Sequence, residues 1–310
     1  TGSELESIGE FAFNSCEGLT EVIIPASVTT IGFAAFGFSG LTSATFENPL
    51  LWYHTTSSDN TNGTQILSTD LENTATAAEY LTNNYRGESW YRLESNLPAD
   101  WIVWSEGANG YIINNGSTTL PAELVIPNTY NDGEHGEANI VDIEDVLEGA
   151  NRLAGGFYNN DDIVSVVLPS TITSLKFQAF GDCDNLKHIR FAPNAQITSI
   201  DSTTFGVTNL KSIVIPASLT DMSLISLAEL ESIVVEEGNT KYTSRDANGN
   251  ECNALIEIAT NTLVMGCKNT VIPNTVEVIG DAAFAGCEGL ESITIPNSVA
   301  SIGENAFYSC

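Results

Sequence analysis

Six cysteines and three histidines are the residues best equipped for chemistry in this 310-residue chain. The thiols are Cys16, Cys183, Cys252, Cys267, Cys287 and Cys310. None forms a CxxC pair, which removes zinc-ribbon and thioredoxin-like chemistry. His54, His135 and His188 stand in no catalytic phrase with a serine, cysteine or aspartate, and a GxSxG elbow is absent. No spacing among the 40 acids singles out a catalytic carboxylate pair. The chain is therefore expected not to be an enzyme and to need no cofactor. Cys287 and Cys310 fall in neighbouring units, but parallel in-register Cβ vectors suit a disulfide poorly; Cys252 and Cys267 have a disulfide option because they sit near the open ends of an expected hairpin. The other four thiols read as small buried fillers.

Three loops offer hard oxygen ligands: SSDNTN at 57–62, YNNDD at 158–162 and DANGNE at 246–251. None reaches the bidentate glutamate that completes an EF-hand, so solvated turns are expected and no metal site is assigned. Weak, non-specific divalent binding would follow from the acidity alone. All four tryptophans, Trp52, Trp90, Trp101 and Trp104, fall in one stretch. They form either an apolar cap or an exposed stacking platform for a glycan, for which Trp101 and Trp104 are the candidates. The ten basic residues cluster most at LKHIRF (186–191) and LKSIVI (210–215). Lys187, His188, Arg190 and Lys211 thus make a candidate ligand-binding patch. The competing reading pairs them with nearby acids such as Glu231.

Composition limits the partners. With 40 acids against 10 bases the net charge is −30, which repels phosphate backbones and disfavours nucleic acid. No apolar run approaches the roughly 18 residues of a membrane span, so no membrane insertion is expected. Charged residues are only 16% of the chain, and 42% are hydrophobic, including 13 Phe, enough for a substantial core.

The elements that position these residues come from a repeat. IGEFAFNSCEGLTEVIIPASVTTIG from Ile8 and IGDAAFAGCEGLESITIPNSVASIG from Ile279 share the pattern I-G-x-x-A-F-x-x-C-x-x-L-x-x-I-x-I-P-x-x-V-x-x-I. Phe13 and Phe36 are 23 positions apart, as are Phe284 and Phe307. L-x-x-I-x-I reads as a short strand with an apolar face, exemplified by Leu290, Ile293 and Ile295. Proline ends the strand because it donates no ladder hydrogen bond. V-x-x-I and A-F turn further apolar groups inward. One unit cannot bury these groups alone; stacked units about 4.8 Å apart make a parallel strand ladder over a continuous core.

These units resemble the BspA-like leucine-rich repeat family of bacterial secreted and cell-surface proteins. The run CNALIEIATNTLVMGCKNTVIPNTVEVIG from Cys252 resembles a variant unit of that family. The resemblance implies a mainly β fold, a right-handed leucine-rich solenoid of ~23-residue units. It also implies an extracellular or cell-surface location and adhesion or binding to a protein or glycan, with the alternatives of a spacer without ligand or a glycan-binding module.

Three regions are expected. Residues 1–94 end a first repeat block with a C-terminal cap at 74–94. Residues 95–121 form a connector. Residues 122–310 form a second block, with 134–162 degenerate and loop-rich. Both ends fall in mid-unit, which points to a piece of a longer array.

Overall fold

The computed structural model describes residues 5–56, 63–114, 116–143, 156–206, 208–222 and 227–310. The expected loop at 57–62 lies outside them. The described chain is a β-solenoid with parallel strands and little helix. Contacts divide it into two compact units, 1–96 and 97–310.

The turns that begin at Ser165, His188 and Ser212 each carry two strands. In the second unit, Glu123–Val125, Ser165–Leu168, His188–Phe191, Ser212–Ile215 and Ser232–Val235 pair in parallel as one five-stranded sheet. Val166, Ile189, Ile213 and Ile233 pair in register and are all buried, forming one inner column. Pro169 and Pro216 follow directly on the ends of their strands. The V-x-x-I segment supplies a second, two-residue strand on another side: Ser174–Leu175, Ser199–Ile200 and Asp221–Met222 pair in parallel.

In five units the backbone passes through left-handed conformations twice, once just before A-F and once just after it. The first such position holds Phe11, Ala34, Gln178, Ala282 and Asn305; the second holds Ser15, Phe38, Asp182, Gly286 and Ser309. These are variable positions of the repeat, which explains why no single residue type marks them. The two bends turn the A-F pair inward. Phe157, Phe180 and Phe205 stack with centroids 5.1 and 6.0 Å apart. Phe157 was hidden in the stretch expected to be degenerate, yet it is fully buried and 23 positions before Phe180.

In the first unit, Glu21–Ile24 pairs with Ser43–Phe46, and Ser7–Ile8 with Thr30–Ile31. Strand Ser89–Arg92 then lies antiparallel to both Thr30–Ile31 and Trp52–Thr55, covering the open edge. The short helices Ser68–Glu72 and Thr74–Glu79 precede it, and the Asn73 side chain caps the second by accepting from the N–H groups of Ala75 and Thr76. Trp52 and Trp90 are buried with Phe46 in this segment, where rings replace the aliphatic column.

Residues 97–121, expected as a connector, are instead built into the second unit. Ile102–Ser105 pairs with Gly110–Ile113, which pairs in parallel with Glu137–Ile143. Tyr111, Ile113 and Leu120 are buried in the core of that unit, so the segment is held by burial and does not link independently.

The hairpin is present: Glu251–Glu257 pairs with Thr262–Gly266 around a turn containing Asn261 in the left-handed region. The disulfide option at its base is not realised. Ala254 pairs with Gly266, so Cys267 lies beside Asn253 and Cys252 is one position further on. Successive strand residues point to opposite faces, and the two thiols enter different cores. All six cysteines are free.

The expected strand at 290–295 is a second correction. Val271 donates back to the Cys252 carbonyl, and a cleft of about 560 Å³ lined by Val271, Ile272, Ile293 and Ile295 separates the two segments. Ile295, expected on the apolar inner face, is largely exposed. The neighbouring side of the same turn stays stacked: Val278–Ile279 pairs with Ser301–Ile302, and Phe284 lies 5.0 Å from Phe307.

Candidate binding surface

The strand ladder of the second unit presents the basic residues. Lys187 N–H donates to the Val164 carbonyl, Lys211 N–H to the Lys187 carbonyl and Glu231 N–H to the Lys211 carbonyl, at 2.8–2.9 Å. The two lysines therefore hold equivalent places on adjacent turns, at the start of the strands. His188 pairs with Ser212 across the ladder, its Nδ1 2.9 Å from the Ser212 Oγ. Arg190 pairs with Val167. Lys187 is exposed; His188, Arg190 and Lys211 are half-buried.

Acids meet one end of this patch. Lys211 pairs with Glu229 and, at 3.5 Å, with Glu231, while Lys268 reaches Glu231 at 2.7 Å. The bond to Glu229 raises the Lys211 pKa, and that to Lys268 lowers the pKa of Glu231. The charge at Lys211 is thus offset by acids, and Lys187 is the exposed lysine of the patch. The strand register pointed to Glu231; Glu229 comes from the preceding turn, which strand pairing does not place.

The aromatic candidates separate. Trp101 is 3% exposed, stacks 5.5 Å from Phe157 and donates its indole N–H to the Thr118 carbonyl at 2.8 Å. It closes the phenylalanine column and offers no open face to a sugar, a correction to the platform reading. Trp104 is half-buried, with His135 stacked on it at 4.7 Å and Tyr111 edge-on at 5.2 Å. His135 is fixed by Asp132 at 2.7 Å, which raises its pKa. Asp100, next to Trp101 in the chain, accepts the backbone N–H groups of Thr118 and Ser117, and its pKa falls to about 2.

Among the described residues no group of three His, Cys, Asp or Glu could hold a metal ion. In the DANGNE loop Asp246 spends its oxygens on the N–H groups of Asn248 and Asn250 and on the Asn250 amide. Asp161 and Asp162 likewise accept from Asp184 and Leu120.

The cysteine slot does more than fill space. The thiol of Cys183 donates to the Phe157 carbonyl at 3.0 Å, and that of Cys310 to the Phe284 carbonyl at 3.2 Å. Each ties its turn to the one before. Burial pushes the Cys183 thiol up to about 12 and Cys287 up to about 11. Since the thiolate is the reactive form, these two should resist a disulfide reagent at pH 8 until the chain unfolds, while exposed Cys16 and Cys310 react at once. Timed thiol titration in native buffer and in denaturant checks this; rapid loss of all six thiols in native buffer would contradict the burial.

The BspA type leucine rich repeat region matches this chain in six copies, over residues 1–77, 154–264 and 263–310. The chain belongs to that family. In solved structures it is similar to a leucine-rich repeat protein from Eubacterium ventriosum, with 20% identity, TM-score 0.42, and 64% of this chain covered. It is similar to the pneumococcal vaccine antigen PcpA, with 16% identity, TM-score 0.45, and 70% of this chain and 68% of that one covered. It is also similar to a leucine rich cell surface protein from Faecalibacterium prausnitzii, with 19% identity, TM-score 0.39, and 69% and 73% covered. The match spans 56% of the Eubacterium ventriosum chain. No curated protein matches. No helix among the described residues is long and apolar enough to cross a membrane.

Proposed function

We propose that this leucine-rich repeat chain is a binding scaffold of a secreted or surface-exposed bacterial protein, engaging an acidic protein or glycan along its strand face. The observation that carries this reading is that one strand of the ladder presents Lys187, exposed, with His188 and Arg190 following it, on a chain of net charge −30. A cationic cluster there is a local reversal of potential, the place where an acidic group docks at least electrostatic cost. Ladders of this kind suit extended contacts better than enclosed pockets. Membership of a leucine-rich repeat family, whose members are generally non-enzymatic binding scaffolds, supports binding over catalysis.

The test uses a sulfated oligosaccharide as probe. Lys187→Glu should weaken binding about tenfold, close to the value of one charge-assisted contact. Lys211→Glu should matter less to the probe, because Glu229 and Glu231 already offset that lysine. Affinity for the wild-type chain should first rise with salt, as the bulk repulsion is screened, and then fall. No binding by the wild-type chain, or equal affinity in the Lys187→Glu variant, rules the patch out.

A further inference from the structure

The first unit carries a different surface. Phe11, Phe33 and Phe38 are 54%, 42% and 62% exposed. Phe11 and Phe33 meet edge-to-face at 5.5 Å, and Phe33 comes up to Gly87, the neighbour of Arg86. Arg86 in turn lies over the Phe38 ring, 4.5 Å from its centroid. The three rings therefore share one local surface. Two of them also hold a strained backbone. Phe11 and Phe38 have φ of 56°, where turns elsewhere place Ser, Ala, Gln, Asp, Asn or Gly. A bulky residue in that region costs free energy, and an exposed ring recovers little of it by burial. The rings touch one another or Arg86 but are not buried, and a bulky residue held in a strained conformation at an exposed place is a feature of functional surfaces.

The electrostatics select the occupant. Residues 1–96 hold twelve acids against two arginines, Arg86 and Arg92. Arg92 is used inside the unit, donating to the carbonyls of Val28 and Ala26. The remaining arginine already stacks on the patch, an example of the contact its rings make. We propose that this face docks a cationic, arginine-bearing segment of a partner protein, with guanidinium groups laid on Phe11 and Phe33 as Arg86 is laid on Phe38, and the net negative charge of the unit steering it in. This surface is independent of the basic strand face of the second unit.

The probes are Arg-Gly and Glu-Gly repeat peptides of equal length, titrated against the chain at low and physiological salt. The Arg-Gly peptide should bind and weaken steadily with salt, and the Glu-Gly peptide should not bind. The variant Phe11→Gly/Phe38→Gly removes both rings and suits the left-handed backbone, so its thermal midpoint should hold or rise while affinity falls about fivefold. No binding of the Arg-Gly peptide, undiminished affinity in the variant, or a lowered midpoint that gives the rings a structural role would each overturn the proposal.

Discussion

Replacing Phe180 with alanine should destabilise the second unit by about 3–5 kcal/mol. The ring has no exposure and is sandwiched between Phe157 at 5.1 Å and Phe205 at 6.0 Å. A deletion there removes buried apolar area and leaves a cavity, because the neighbouring rings are tied to their own turns. The backbone N–H of Phe180 bonds to the Thr204 carbonyl, and that of Phe157 to the Ala179 carbonyl, so neither turn can slide to close the gap. Phe307→Ala is the matched control. That ring occupies the same place in its repeat but is only half-buried, with a single ring neighbour, Phe284. It should cost about 1 kcal/mol, in proportion to the smaller area lost. Urea unfolding of both variants measures the difference. A loss under about 1 kcal/mol for Phe180→Ala would mean that the column does not hold the unit together.

The repeat was legible because its signal is redundant. Every turn must present the same inward groups at the same height, so Phe13 and Phe36 or Phe284 and Phe307 announce one another by spacing. What escaped was whatever depends on one particular neighbour. Phe157 follows Gly155-Gly156 in place of the usual alanine, and only its distance to Phe180 would have revealed it. Trp101 has the composition of a binding residue; Phe157 beneath it and the Thr118 carbonyl beside its indole N–H make it core. The hairpin at 251–266 could be read from its turn, but not its register, and a one-residue difference sends Cys252 and Cys267 to opposite faces. The candidate patch was legible as strand positions, since Lys187 and Lys211 fall on one ladder. The pairing of Lys211 with Glu229 was not, because it joins a strand to a loop.

The last turns of the solenoid hold the second large effect: Gly266→Ala should cost about 3 kcal/mol, at the upper end for an added methyl. Gly266 N–H bonds to the Ala283 carbonyl, as Phe284 N–H bonds to the Ala306 carbonyl one turn on. Gly266 thus occupies the place that phenylalanine fills in other turns. With no ring there, Phe284 tips into the vacant space. A Cβ on Gly266 would stand 2.0 Å from the Phe284 Cε1 and 2.5 Å from its Cζ. The backbone at Gly266 is not in the left-handed region, so the penalty is one of space alone. Alanine should otherwise gain about 0.4–1 kcal/mol through a stiffer unfolded chain. A double-mutant cycle isolates the contact. In a Phe284→Ala background the new methyl enters the cavity the ring has left, and Gly266→Ala should become neutral or stabilising. The coupling should then exceed about 1 kcal/mol, well beyond the scatter of independent sites. Strict additivity of the two substitutions would show that glycine is required at 266 for some reason other than the ring above it.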